Sequence, residues 1–260
     1  MVIPVSDDNP TRRRPVVTWA LLAINVGVFF FLQPWRADAC TQQAFFVQWA
    51  AVPEEVVTGE PMDQEEVFAS TTGQCAIPAE TDKSIYLSVL TAMFLHGGWA
   101  HLFGNMLYLW IFGNNVEDRL GHLPFLLFYL GTGVVATLAF VAVNADSLST
   151  LVGASGAIAG VLGAYLVMFP AARVTLIVPP LFFLPFRLPA LVVLGFWFVL
   201  QLFSGRAADM AGGGVAYLAH IAGFVAGVVV VLLLGYRPQP RRRPPPRYAQ
   251  YPPPPGWDRR

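Results

Sequence analysis

Charge is scarce in this chain. Asp, Glu, Lys and Arg make up 12% of its 260 residues, about half the share of an ordinary soluble domain. What charge there is cancels, 16 basic against 16 acidic side chains, so a nucleic-acid partner has no electrostatic support. Several signatures are missing as well. There is no internal repeat, P-loop, dinucleotide fingerprint or H-E-x-x-H zinc-protease helix. Cysteine is down to two residues, Cys40 and Cys75. In an oxidising extracytoplasmic space they form a disulfide; otherwise they stand as two free thiols in a loop.

Apolar residues take the place of charge, at 55% of the total. Long apolar runs at that share mark an integral membrane protein. Six runs predict six spans, at about 16–32, 99–116, 123–143, 151–169, 188–203 and 215–234. The fifth is short and starts at a proline. Arg12, Arg13 and Arg14 precede the first run; Arg237, Arg241, Arg242 and Arg243 follow the last. Basic residues mark cytoplasmic ends, so both termini are expected inside, which an even number of spans satisfies. Arg119, Arg173 and Arg187 then fall inside too. The first run has no small-residue cleavage site behind it and is long for a signal peptide, so it reads as a span.

The expected architecture is an all-α membrane protein. A cytoplasmic segment, 1–15, leads into a six-helix bundle, 16–236, and a disordered Pro/Arg-rich cytoplasmic tail, 237–260. Within the bundle, 33–88 makes a long, acidic extracytoplasmic first loop that holds both cysteines. The prolyl stretch 179–186 reads as an interfacial connection. The tail either meets anionic lipid headgroups or is simply solvated. A bacterial inner membrane is the expected location.

Polar groups inside a span are costly and point to function. Four stand out: His101 and Asn105 on the second span, Ser155 at the head of the fourth, and His220 on the sixth. In the orientation above all four lie near the outer ends of their spans. His101 and Asn105, four residues apart, share a helix face. They either aim two donors at one point or act as packing glue. Ser155 sits in "GASGAIAG", where Gly153, Gly156, Gly160 and Gly163 make small-x-x-small patterns. Alone, that segment favours close helix packing. The sixth run carries a second such face, Gly223 and Gly227, beside His220. Two glycine faces, one with a serine and one with a histidine, suggest helices crossing closely enough for imidazole to take the hydroxyl proton. No Asp or Glu lies in a predicted span. A triad is therefore incomplete, a histidine proton relay lacks a carboxylate, and the chemistry reads as a Ser–His dyad. His101, Asn105 and backbone N–H groups around Ser155 are then candidate oxyanion donors.

These residues resemble the rhomboid intramembrane serine proteases across the six-span region. "HGGWAHLFGNM" is similar to the family's second-span motif and carries His96, His101 and Asn105. "GASG" looks like its nucleophile motif, "AHIAGFVAG" like its sixth-span motif, and "VEDRLG" like its post-span E-x-R-x-G stretch. The resemblance implies Ser155 as nucleophile and His220 as general base. It implies an oxyanion hole from His101, Asn105 and backbone N–H groups near Gly153 and Ser155, in a water-filled cavity open to the outside. The implied partners are single-span membrane-protein substrates and the lipid bilayer, with no metal or cofactor. A catalytically inactive, membrane-protein-binding relative is the alternative on the same fold; such members typically lack the Ser or His that this chain keeps. Two departures stand out. Ala159 lies four residues after the serine, where rhomboids often place an aromatic ring, and Tyr217 offers a substitute. The Trp-Arg pair that often precedes the Thr-x-x-Phe-x-His run is absent from "IYLSVLTAMFLH". The stretch 204–214 reads as a mobile cap over the sixth span or as a simple loop.

Overall fold

A computed structural model describes residues 3–71, 73–79, 82–177, 185–211 and 217–239. The chain is mostly helical. β1 (Ile3–Asp7) is followed by α1 (Val16–Gly27), which runs on as a π-helical turn, Val28–Leu32. The first loop holds α2 (Ala39–Trp49), α3 (Pro53–Thr58), α4 (Gln64–Ser70) and α5 (Ile85–Thr91). Next come α6 (Trp99–Tyr108), a π-helical stretch Leu109–Gly113, and α7 (Asn114–Leu120), without a break in helical backbone. α8 (His122–Val143) and α9 (Ser155–Met168) precede β2 (Arg173–Ile177) and β3 (Phe186–Pro189). α10 (Ala190–Ala211) and α11 (Tyr217–Leu233) complete the bundle. Among the described residues α8 alone is long and apolar enough to cross a membrane; Val16–Leu32, Ile85–Phe94, Ser155–Met168, Ala190–Phe203 and Tyr217–Leu233 are shorter apolar helices.

The all-α expectation needs one correction. β1, β2 and β3 form an antiparallel sheet in that order. Val174, Thr175 and Ile177 are β-branched and favour extended backbone, and Pro189 closes β3 where the fifth span was expected to begin. Part of the 1–15 segment is thereby ordered, since β1 pairs with β2. α10 continues to Ala211, so 204–211 is helix and not a simple loop. The rest of that stretch, 212–214, lies outside the described residues, as do 179–184 of the prolyl connection and 240–260 of the tail.

The first loop is a small folded unit. Cys40 and Cys75 are disulfide-bonded. Val47, Val52, Met62, Val67 and Ile77 bury a core beside the bridge. Asp38 caps α2, and Asp63 with Glu66 makes a capping box on α4, satisfying amides that a helix start leaves open. Lys83 and Glu55 form an ion pair in which both side chains are 1% exposed. Lys83 also donates to the Val47 carbonyl at 2.7 Å, and Glu55 accepts from the Met62 amide at 3.1 Å, so neither charge is left unpaired by its burial. A bridge from Ala51 to Leu151 and a bond from the Gly153 amide to the Ala92 carbonyl (2.8 Å) seat this unit against the approach to α9.

At the opposite end, "VEDRLG" fastens the N-terminal segment. Glu117, 1% exposed, accepts from the Val17 and Thr18 amides (2.9 and 2.7 Å), the Thr18 hydroxyl (2.7 Å) and pairs with His122 Nδ1 (2.6 Å). It thereby caps α1, which has no cap of its own. Asp118 accepts from the Arg12 and Arg13 amides. Asp7 at the end of β1 accepts from the Tyr165 hydroxyl (2.5 Å) and the Asn115 amide (2.9 Å), which ties the sheet to α9 and α7.

The centre of the bundle is α9, almost wholly buried between α8 and α11. Glycine permits the approach. A methyl on Gly223 would overlap the Gly156 carbonyl, one on Gly227 the Gly160 carbonyl, and one on Gly163 the Phe224 carbonyl. The two helices therefore meet backbone to backbone, the arrangement that small residues allow between membrane helices.

Two outcomes follow. Gly227→Val lowers the unfolding midpoint in detergent by an amount equivalent to at least about 1–3 kcal/mol, whereas Gly131→Ala, on an open face of α8, leaves it unchanged or slightly raised. Equal midpoints would contradict the packing. Burial pushes the Asp7 carboxyl from 3.8 up to about 6. The folded state thus favours neutral Asp7, and that stabilisation, at most about 3 kcal/mol, is full below about pH 4 and lost as pH rises through 6. Corrected hydrogen exchange in β1 is expected to be faster at pH 7.5 than at pH 5, and Asp7→Asn is expected to remove the difference.

Candidate active site

Ser155 is the first residue of α9. Its backbone N–H belongs to the helix start, where amides lack intrahelical partners and the dipole is positive. The turn into the helix runs through Gly153 at φ +125°, a conformation that side chains disfavour. A Cβ there would also sit 2.7 Å from His101 Nε2, so glycine is needed on both counts. His220, on the first turn of α11, reaches across the glycine contact: its Nε2 lies 2.8 Å from Ser155 Oγ. On the other side of the ring, Nδ1 lies 3.0 Å from Gln201 Oε1 on α10.

The ring is flanked by two aromatics. Trp197 lies with its centroid 6.3 Å away at a 35° tilt, and Tyr217 meets the ring edge-on, also at 6.3 Å. Tyr217 thus does stand near the histidine in the place considered for it, and Trp197 joins it from α10. Ala159 lines the same cavity without reaching over the ring.

His101, Asn105, Ser155 and His220 all line one open cavity of about 530 Å³. His101 Nδ1 accepts from the Gly97 amide at 3.3 Å, which leaves Nε2 as the nitrogen bearing hydrogen, next to Gly153. Asn105 is 8% exposed, and its Nδ2 has no partner among the described residues. A buried amide donor without an acceptor is costly, so this one is available for an oxygen that enters the cavity. His96 is behind this row: its ring packs edge-on against His101 at 5.2 Å, and both of its nitrogens lack partners among the described residues. Gln33 holds the His96 backbone in place, donating to its carbonyl (2.8 Å) and accepting from its amide (2.9 Å). The same set contains no group of His, Cys, Asp and Glu able to hold a metal among the described residues.

Residues 83–237 match the family described as "Rhomboid: Rhomboid domain". The chain belongs to the rhomboid family. It is accordingly a multi-pass integral membrane protein. It is 28% identical over 226 residues to Rhomboid protein 1, mitochondrial, of Saccharomyces cerevisiae, covering 82% of this chain and 51% of the yeast protein. It is 31% identical over 169 residues to Rhomboid-like protein 11, chloroplastic, of Arabidopsis thaliana, covering 60% of this chain and 58% of the plant protein. Rhomboid protease GluP of Bacillus subtilis is 29% identical over 153 residues, 59% of this chain and 24% of that protein. The chain thus spans little more than half the length of the first two relatives. Relatives named for a mitochondrion and a chloroplast do not bear out the expectation of a bacterial inner membrane. The family match begins at Lys83, so it leaves out α1 and the disulfide-bridged unit.

Gln201 of this rhomboid site, and residues packed outside it, were not marked by the sequence pattern. Gln201 is a lone amide in the fifth apolar run, visible as a polar break in "FVLQLF" but not singled out. Trp35 and Arg36, which precede the folded insertion, were not singled out either. Trp35 meets Trp99 edge-on at 5.0 Å and stacks on Phe29 at 6.2 Å, with the Arg36 guanidinium 4.3 Å above its ring. Asn25 was also passed over: it is buried on α1 and donates to the Leu21 carbonyl at 2.8 Å, within its own helix.

The unpartnered Asn105 amide has a measurable cost. Asn105→Leu is expected to raise the detergent unfolding midpoint by a few degrees, at roughly 2–4 °C per kcal/mol for a chain of this size. An unchanged or lower midpoint would mean that the amide is already satisfied.

Proposed function

We propose that this rhomboid-family protein is an intramembrane serine endopeptidase that cuts single-span membrane proteins in or beside their spans. The observation that carries the reading is the 2.8 Å contact between Ser155 Oγ and His220 Nε2 inside a cavity that also holds an unpartnered Asn105 amide.

In this reading His220 Nε2 accepts the Ser155 proton as Oγ attacks the scissile carbonyl. The oxygen of the tetrahedral intermediate is met by His101 Nε2–H, Asn105 Nδ2 and the backbone N–H at the head of α9, beside Gly153. The imidazolium returns its proton to the leaving amine as the C–N bond breaks. Water, deprotonated by the same imidazole, then releases the acyl group from Ser155. The cavity is lined by Thr150, Leu151 and Val152, where the disulfide-bridged unit pairs with the chain through Ala51 and Leu151, while the Arg12 and Arg13 amides bind Asp118 on α7 and Arg173 begins β2. That distribution supports six spans with both termini in the cytoplasm and the site facing the extracytoplasmic, disulfide-permissive side.

The purified chain in liposomes, given a model single-span reporter, is expected to release cut product. Ser155→Ala and His220→Ala are expected to release none above background, and Asn105→Ala to lower kcat by about a hundredfold with little change in KM. A wild type that cuts no reporter while binding it would instead favour the inactive, membrane-protein-binding relative.

A further inference from the structure

A Ser–His pair works only if the imidazole presents the correct nitrogen. A neutral ring carries one hydrogen, on Nδ1 or Nε2, and only the Nδ1–H form offers Nε2 as the acceptor for the serine proton. The serine alone does not choose between them, because a hydroxyl both donates and accepts. Something on the Nδ1 side must choose. In Ser-His-Asp triads that partner is a carboxylate. Inside a membrane an ionised carboxylate is expensive, and no Asp or Glu stands in the predicted spans.

We propose that Gln201 is the positioning residue for His220, so that the site works as a Ser155–His220–Gln201 relay with a neutral third member. Gln201 Oε1 accepts from Nδ1–H at 3.0 Å while Nε2 faces Ser155 Oγ at 2.8 Å. Trp197, one helical turn before Gln201 on α10, packs against the same imidazole at 6.3 Å. The helix therefore fixes both the edge and the face of the ring. Gln201 holds no proton at any step. The hydrogen on Nδ1 stays there while Nε2 takes the Ser155 proton and passes it to the leaving amine. The amide dipole continues to accept from Nδ1–H when the ring is positively charged, and it does so without placing a negative charge in the bilayer. The inference rests on the protease reading of the site.

Two variants of nearly equal size test it in the liposome assay. Gln201→Met keeps the length of the side chain and removes the acceptor; Gln201→Glu keeps the acceptor. The expected result is a fall in kcat of about tenfold for Gln201→Met, the size of one hydrogen bond, with KM within twofold and the unfolding midpoint unchanged. Gln201→Glu is expected to hold kcat within about threefold of wild type on the same scale. The rate of Ser155 modification by a fluorophosphonate probe should follow kcat in all three proteins. A Gln201→Met enzyme as fast as wild type overturns the inference, and so does a Gln201→Glu enzyme as slow as Gln201→Met. A wild type that neither cuts nor reacts with the probe overturns the protease reading and the relay with it, an outcome distinct from the other two.

Discussion

The structure depends on one contact: the backbone of α9 against the backbone of α11. Gly156, Gly160 and Gly163 face Gly223, Phe224 and Gly227 so closely that added methyl groups would overlap carbonyl oxygens. Apolar side chains give helices little reason to associate inside a bilayer, where the lipid is as apolar as they are. Close backbone approach restores dispersion contacts that lipid cannot match. It also sets a distance. Ser155 begins α9 and His220 lies one turn into α11, so the glycine seam brings the hydroxyl and the imidazole within hydrogen-bond reach.

The remaining polar groups are arranged around that seam under the same constraint. Several buried groups that serve structure are satisfied: Glu117 by three donors and His122, Glu55 by Lys83 and Met62, Gln33 by both backbone groups of His96. Two groups in and behind the cavity are not. Asn105 Nδ2 and the His96 ring have no partners among the described residues. An unpartnered amide that lines a cavity is free to meet an oxygen entering it.

Much of this was legible from composition and spacing because membrane helices write their constraints in few letters. Apolar runs located α1, α8, α9 and α11 to within a few residues, and rare polar residues in those runs marked Ser155, His220, His101 and Asn105. The rest was not legible for physical reasons. The sheet joins Ile3–Asp7 to residues some 170 positions later, and no local pattern announces a pairing at that range. The first loop looked like an acidic connection because its core is small and its stabilising pair, Lys83 with Glu55, is made of charges that normally lie exposed. Gln201 was missed because one amide near the end of an apolar run looks like a span boundary until its neighbour is known. Trp35 and Arg36 were missed because a folded insertion separates them from the His96 region they pack beside.

The central claim is that this seam makes a nucleophile of Ser155 through His220. The most direct measurement is peptide mapping by mass spectrometry after treating the reconstituted protein with a fluorophosphonate. The account predicts a single phosphonylated residue, Ser155, and its loss in His220→Ala. No adduct, an adduct on another serine, or equal modification of Ser155 with and without His220 would contradict it.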